Sequence, residues 1–381
     1  MNGLERRLRR IDGFQQRHTI PGLLFALTKK YGDDNAGALG VQLTYALFVT
    51  VFPLLLLLIT VLGIVLADDP GDRHRVVTSA FGEFPIVGSA LAHNIHALKR
   101  SSVFGLVVGL VGLLYGTTNL AQAGLYSMEQ VWNIPGAARP NVVKRMARSL
   151  TFLAVLAVGL VLGTALAGFG TFGRHNAVLG LLGELLAALV NVALYLAAFR
   201  VLTPRQVSTR LLLPGVVLGG IGWTVLQAVG GYVVGHDLKG ASAVYGLFGL
   251  VLGLIAWISL GVQLTLYAAE LNTVLHHRLW PRSMIQPPLT RADQLSLALQ
   301  ATENQRRPEQ RVSSRFTVAP MTQDEYRANE YRQRQDGEGL VHRAPDDSSR
   351  IGELDAAGPP RQGGPSDRSG PRPGGDPVGS D

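Results

Sequence analysis

The chain has 381 residues, 47% hydrophobic and 16% charged, with a net charge of +8 and no cysteine, which excludes disulfides and cysteine-ligated metals. Its basic excess belongs to residues 1–280, with 21 Lys and Arg against 12 Asp and Glu, while residues 281–381 hold 14 against 15. Basic charge beside long apolar runs matches the anionic inner face of a membrane, and the aromatic-interleaved basic patch of a nucleic-acid binder is absent, so no nucleic-acid partner is expected.

Residues 1–35 are predicted to be a cytoplasmic amphipathic segment. Leu4, Leu8, Ile11 and Phe14 fall near one helical face among arginines, the pattern of a helix lying on the inner leaflet. Pro21 opens a second short helix through Leu24, Leu27 and Tyr31.

Residues 36–280 are predicted to be a six-helix transmembrane domain. Crossing the ~30 Å hydrocarbon core takes about 20 apolar residues. Six runs qualify: 36–67, 101–128, 149–173, 176–199, 211–234 and 241–269. Only helices or closed barrels satisfy the backbone in lipid, and runs this long without alternation are helices. The connection 68–100 carries Val76, Phe81, Ile86, Leu91 and Ile95 and is expected to form short amphipathic helices on the outer face. Most other connections are short, so consecutive helices should be antiparallel neighbours. Residues 281–381, rich in Pro, Gly and charge towards the end, are predicted to be a cytoplasmic, largely disordered tail with a short helix in LTRADQLSLALQATENQRR. Lys29, Lys30, Arg145, Arg148, Arg200, Arg205 and Arg278 lie on one side of the spans. The positive-inside rule makes that side cytoplasmic, with both termini there. The fold class is therefore all-α, a polytopic protein of the bacterial plasma membrane.

Polar side chains inside lipid usually face the bundle interior or a wet cavity. Tyr115, Asn119, Gln122 and Tyr126 share one helical face, as do Ser259, Gln263, Tyr267 and Glu270. Trp223 and Gln227 are four apart, and Gln42, Thr44 and Tyr45 precede Pro53. These residues either make interhelical hydrogen bonds or line a groove between the first, second, fifth and sixth helices. The candidate groove residues are Tyr45, Asn119, Gln122, Gln227, Gln263 and Tyr267. Glu184 sits about seven residues into its span; it either couples protons, snorkels outward or pairs with Arg174. Glu270 ends the sixth run near the cytoplasmic headgroups and needs a cation, with Arg200 the expected partner and Arg145 or Arg148 next. The glycine pairs Gly215/Gly219 and Gly249/Gly253 read as close-packing devices. There is no phosphate-loop or H-E-x-x-H motif. The pair His93/His96 is weak, and no acidic pair suggests a two-metal centre. No catalytic residue, metal or cofactor is assigned, and the chain is not expected to be an enzyme.

Three segments resemble the YihY/BrkB family of bacterial inner-membrane proteins: GALGVQLTYALFVTVFPLLLLLITVLG, LLYGTTNLAQAGLYSMEQVWNIP and ASAVYGLFGLVLGLIAWISLGVQLTLYAAELNTVL. The likeness covers roughly residues 20–280. It implies a six-helix inner-membrane protein with a suggested role in moving lipids or small solutes. The family's older ribonuclease label does not carry over, because no nuclease constellation accompanies it. The chain departs from the family pattern at Tyr-Ser-Met-Glu-Gln in the second span and Tyr-Ala-Ala-Glu in the last. The expected function is transport or lipid translocation through a polar groove. A non-transporting scaffold or envelope-integrity factor is the alternative, and a membrane-embedded hydrolase comes third. Membrane lipids are the expected partners, with an amphiphilic or small-molecule substrate.

Overall fold

The computed structural model describes residues 3–65, 103–139, 141–172, 177–236 and 238–335. The expected outer-face helices of 68–100 lie outside them, as do residues 336–381. Among the described residues there are ten α-helices and no strands. Two short helices come first, α1 (Gly3–Arg17) and α2 (Thr19–Asp33). Pro21 falls in the first turn of α2, where its missing N–H has no helical partner to lose.

Six long helices follow: α3 (Ala36–Val65), α4 (Val103–Val131), α5 (Val142–Phe172), α6 (Ala177–Leu202), α7 (Thr209–His236) and α8 (Leu238–His277). Each coincides with one predicted apolar run. Five of them hold windows long and apolar enough to cross a membrane: Ala36–Leu57, Gly105–Val131, Leu182–Leu202, Thr209–Gly230 and Val251–His277. The remaining long helix, α5, covers the third predicted run but is not among these five.

Each long helix packs on the next, and α8 returns to α3, closing the bundle. Missing side chains set the closest approaches. A Cβ on Gly112 would lie 2.9 Å from the Pro53 ring, and one on Gly116 would lie 2.8 Å from Thr50 Oγ1, so α4 lays a glycine ridge against α3. On the other side α7 is held between two neighbours. Its Gly219 and Gly220 face Tyr195 and Val192 of α6, and its Gly215 and Gly230 face Ala268 and Trp257 of α8. Small residues let helix backbones approach where lipid supplies no hydrophobic driving force. The predicted packing role of Gly215 and Gly219 therefore holds, on opposite neighbours.

The chain beyond Pro281 departs from the expected disordered tail over its described part. Residues 282–290 run across α1 and α2, then form α9 (Arg291–Glu303), and α10 (Gln323–Gln335) docks on α1. Composition hid this, because the docking is polar. Asp12 is fully buried and accepts from the Met284 and Ile285 N–H groups at 3.1 and 3.3 Å. Gln15 donates to the Arg282 carbonyl, and Arg9 donates to the Pro287 carbonyl. A small apolar cluster of Ala26, Val274, Leu279 and Leu299, with Trp280 against it, joins α2, α8 and α9.

Asp293 is the hub of this segment. It accepts from Lys29 Nζ at 2.8 Å, Arg282 Nε at 2.9 Å and the Ser283 N–H at 2.9 Å, and it forms a capping box with Thr290. Burial opposes its charge. The hydrogen bond and charge of Lys29, the Ser283 N–H and Arg282 together outweigh burial and hold the carboxyl below its ordinary value. A carboxyl that ionises lower when folded contributes its full stability above the unfolded value of about 3.9, and loses it as pH falls through the folded value. The emission of the partly buried Trp280 should therefore be constant above pH ~4 and shift red below it. Asp293→Asn, which loses charge-assisted bonds and about 2 kcal/mol, should give the shifted emission at neutral pH.

A candidate functional site at one end of the spans

The ends of α2, α4, α8 and α9 meet in a buried cluster of charges. Lys30, on the last turn of α2, is fully buried. Its ammonium pairs with Asp34 one turn on, lies 3.6 Å from Glu270 Oε2 of α8, and donates at 3.3 Å to the carbonyl of Val131, the last residue of α4. A cation suits that position, because the C-terminal carbonyls of a helix carry partial negative charge. Above it Tyr31 stacks on Tyr267 with ring centroids 4.3 Å apart.

A second group adjoins the first. Arg139 lies 3.6 Å from Glu129 of α4 and 3.6 Å from Glu303 of α9, and Asn133 donates to Glu303 at 3.0 Å. Burial raises Glu303 above the ordinary glutamate value. The Asn133 hydrogen bond opposes this, Asp34 adds to it, and Arg139 and Lys30 pull against it. Four carboxylates, of Asp34, Glu129, Glu270 and Glu303, thus share Lys30 and Arg139, with Arg145 and Arg148 within electrostatic reach of Glu129. Both oxygens of Glu129 and of Glu270, and Asn133 Oδ1, have no hydrogen-bond partner despite their burial. The cluster is therefore an electrostatic clasp, drawing four helices together through charges it has removed from water.

The carboxylate of Glu270 has its cation, but it is Lys30 and not Arg200. Arg200 is exposed on α6, whereas Glu270 is fully buried in the cluster with Lys30. The sequence reading missed Lys30 and Glu129. A signal was available: Glu129 is the first charge after an uncharged run, as Glu270 is.

Of the six predicted groove residues, three are half-buried and three are exposed. Gln122 is half-buried and donates to Ser149 of α5 at 3.4 Å. Gln227 is half-buried and accepts from Asn191 of α6 at 3.4 Å. Tyr267 is half-buried against Tyr31. Tyr45, Asn119 and Gln263 are exposed on three different helices, Tyr45 by 66%, and Gln263 donates to Ser259 of its own helix. By position they are the tenth residue of the 22-residue span Ala36–Leu57, the fifteenth of the 27 in Gly105–Val131 and the thirteenth of the 27 in Val251–His277. Glu184 is exposed on α6, and Arg174 lies outside the described residues.

Long apolar helices packed through glycine ridges define a multi-pass α-helical membrane protein. Residues 27–292 match the Virulence factor BrkB family, and the chain belongs to it. It is 22% identical over 287 residues to the inner membrane protein YhjD of Escherichia coli strain K12, covering 70% of this chain and 85% of that one. It is 21% identical over 264 residues to the putative ribonuclease-like protein YfkH of Bacillus subtilis strain 168, covering 66% and 94%. No solved structure matches.

Proposed function

We propose that the protein crosses the bacterial inner membrane six times, with both termini cytoplasmic, and moves a lipid or similar amphiphile along polar side chains on the outer face of its bundle. One observation carries the reading: Tyr45, Asn119 and Gln263 are exposed near the middle of their spans. A polar side chain at that depth is costly against acyl chains. Exposed at that depth, such groups offer hydrogen bonds to a headgroup and lower the cost of its passage through hydrocarbon. The sixth crossing is α5, whose 31 residues at about 1.5 Å each exceed the ~30 Å core. The Escherichia coli relative is an inner membrane protein, which supports that location, and the Lys and Arg distribution supports the orientation. Leu8, Ile11 and Phe14 of α1 are exposed while its polar Asp12 and Gln15 are buried, which supports an interfacial α1 with its apolar side in the leaflet. The reading is non-enzymatic.

The test is headgroup scrambling in liposomes, with small solutes run in parallel. The combined variant Tyr45→Leu, Asn119→Leu and Gln263→Leu should scramble at least tenfold more slowly than the wild type while inserting to the same level. Equal rates would defeat the proposal. The same exposed side chains also suit a scaffold in which a second copy covers them. Absence of translocation, with efficient cross-linking between copies at positions 45 and 263, would favour that reading.

A further inference from the structure

A cavity of about 240 Å³ lies between α1 and α10, lined by Arg10, Phe14, Arg17 and His18 on one side and by Asp324 and Arg327 on the other. Helical spacing builds it. Arg10, Phe14 and Arg17 recur at four and three residues, and Asp324 and Arg327 are three apart. Gly13 also lines it, and a Cβ there would make only ordinary contacts, 3.6 Å from Asp324 Oδ1 and 3.9 Å from Arg327 Nη1. Arg17 donates to Asp324 at 2.9 Å, which engages the only carboxylate lining the cavity among the described residues. Among the described residues no acid pairs with Arg10 or Arg327. Two guanidinium groups therefore remain facing the space.

The charge and the surroundings select a ligand. Guanidinium forks match phosphate oxygens two at a time. The volume falls below the ~300–1,000 Å³ of pockets that enclose a whole drug-sized ligand, so it suits a headgroup and not an entire lipid. Beside it, Leu8, Ile11 and Phe14 form an exposed apolar stripe on α1, continued by Ile20 and Leu24 on α2. A phosphate joined to hydrocarbon satisfies both surfaces at once.

We propose that this cavity holds the phosphate of an anionic lipid headgroup, with the acyl chains lying along the apolar stripe of α1. The proposal rests on the interfacial placement of α1 argued above. Lipid occupancy would tie α1 to α10, and so couple the described part of the C-terminal segment to the composition of the leaflet.

The test uses the full-length protein and reads retained lipid by native mass spectrometry after release from nanodiscs containing phosphatidylglycerol and phosphatidylcholine. The wild type should retain one phosphatidylglycerol with at least fivefold preference. Arg10→Gln with Arg327→Gln should lose that preference, and so should Gly13→Leu, which fills the cavity without touching a charge. Gly13→Ala, which fits, should keep it and controls for folding. Equal preference in the wild type and both disabling variants overturns the proposal. Protection of the α1–α10 contact from protease by inorganic phosphate, but not by short-chain phosphatidylglycerol, would overturn the lipid as the source of the phosphate. The placement of α1 is read separately: Ile11→Trp, outside the cavity, should be quenched by brominated phosphatidylcholine. Absence of quenching would reject the interfacial reading, while lipid retention in the cavity variants still judges the site.

Discussion

Replacing Lys30 with methionine is expected to destabilise the protein by about 3–5 kcal/mol, because it leaves buried carboxylates without their cation. Lys30, Asp34 and Glu270 have side-chain exposures of 0%, 1% and 0%, so water cannot take over the missing charge. The variant also frees the Val131 carbonyl at the end of α4. Glu270→Gln should do less harm, since Lys30 keeps Asp34 and the carbonyl. The double variant Lys30→Met with Glu270→Leu removes one of the two buried carboxylates and should recover part of the loss, while Asp34 still lacks its cation. Thermal unfolding in detergent, followed with membrane abundance, tests the set. If Lys30→Met unfolds with the wild type, the clasp holds nothing together. If the double variant is no better than Lys30→Met, the pairing of Lys30 with Glu270 is not the interaction that matters.

Gly215→Leu should be the most damaging single change within the spans, at about 3 kcal/mol or more. The added Cβ would fall 2.0 Å from the Ala268 carbonyl oxygen and 2.5 Å from Asn272 Nδ2, and the first of these is backbone that cannot turn aside. Parting the helices would also break the 2.6 Å hydrogen bond from the Gly215 N–H to Asn272 Oδ1. Gly183 has nothing within 4 Å of a built Cβ and serves as the control: Gly183→Leu should insert and unfold like the wild type. Near-wild-type abundance of Gly215→Leu would mean that α7 and α8 are not packed at this distance.

Much of the architecture is local in origin and could be read before any coordinates. A run of twenty or more apolar residues has few ways to satisfy its backbone in hydrocarbon, so the six long helices follow from composition alone. The register of Gly215 and Gly219 as packing positions also follows from spacing. The site was less legible. Glu270 was recognisable as a carboxylate in need of a cation, because that need belongs to the residue. Which cation answered it depended on the tertiary packing: Arg200 stays exposed on α6, and α2 folds back to bring Lys30 to Glu270 instead.

The segment after Pro281 shows the same division most clearly. Its low apolar content argued for disorder, yet Arg282, Asp293 and Ser296 are buried. What orders it is a set of polar partners supplied by α1 and α2, more than two hundred residues away in the chain. Hydrophobic content by itself determined what enters the membrane, since burial in lipid is a property each stretch carries with it. Only the tertiary structure decided which buried charges and amides of distant stretches meet, since a hydrogen bond requires two groups at a defined distance and the fold alone sets that distance between stretches.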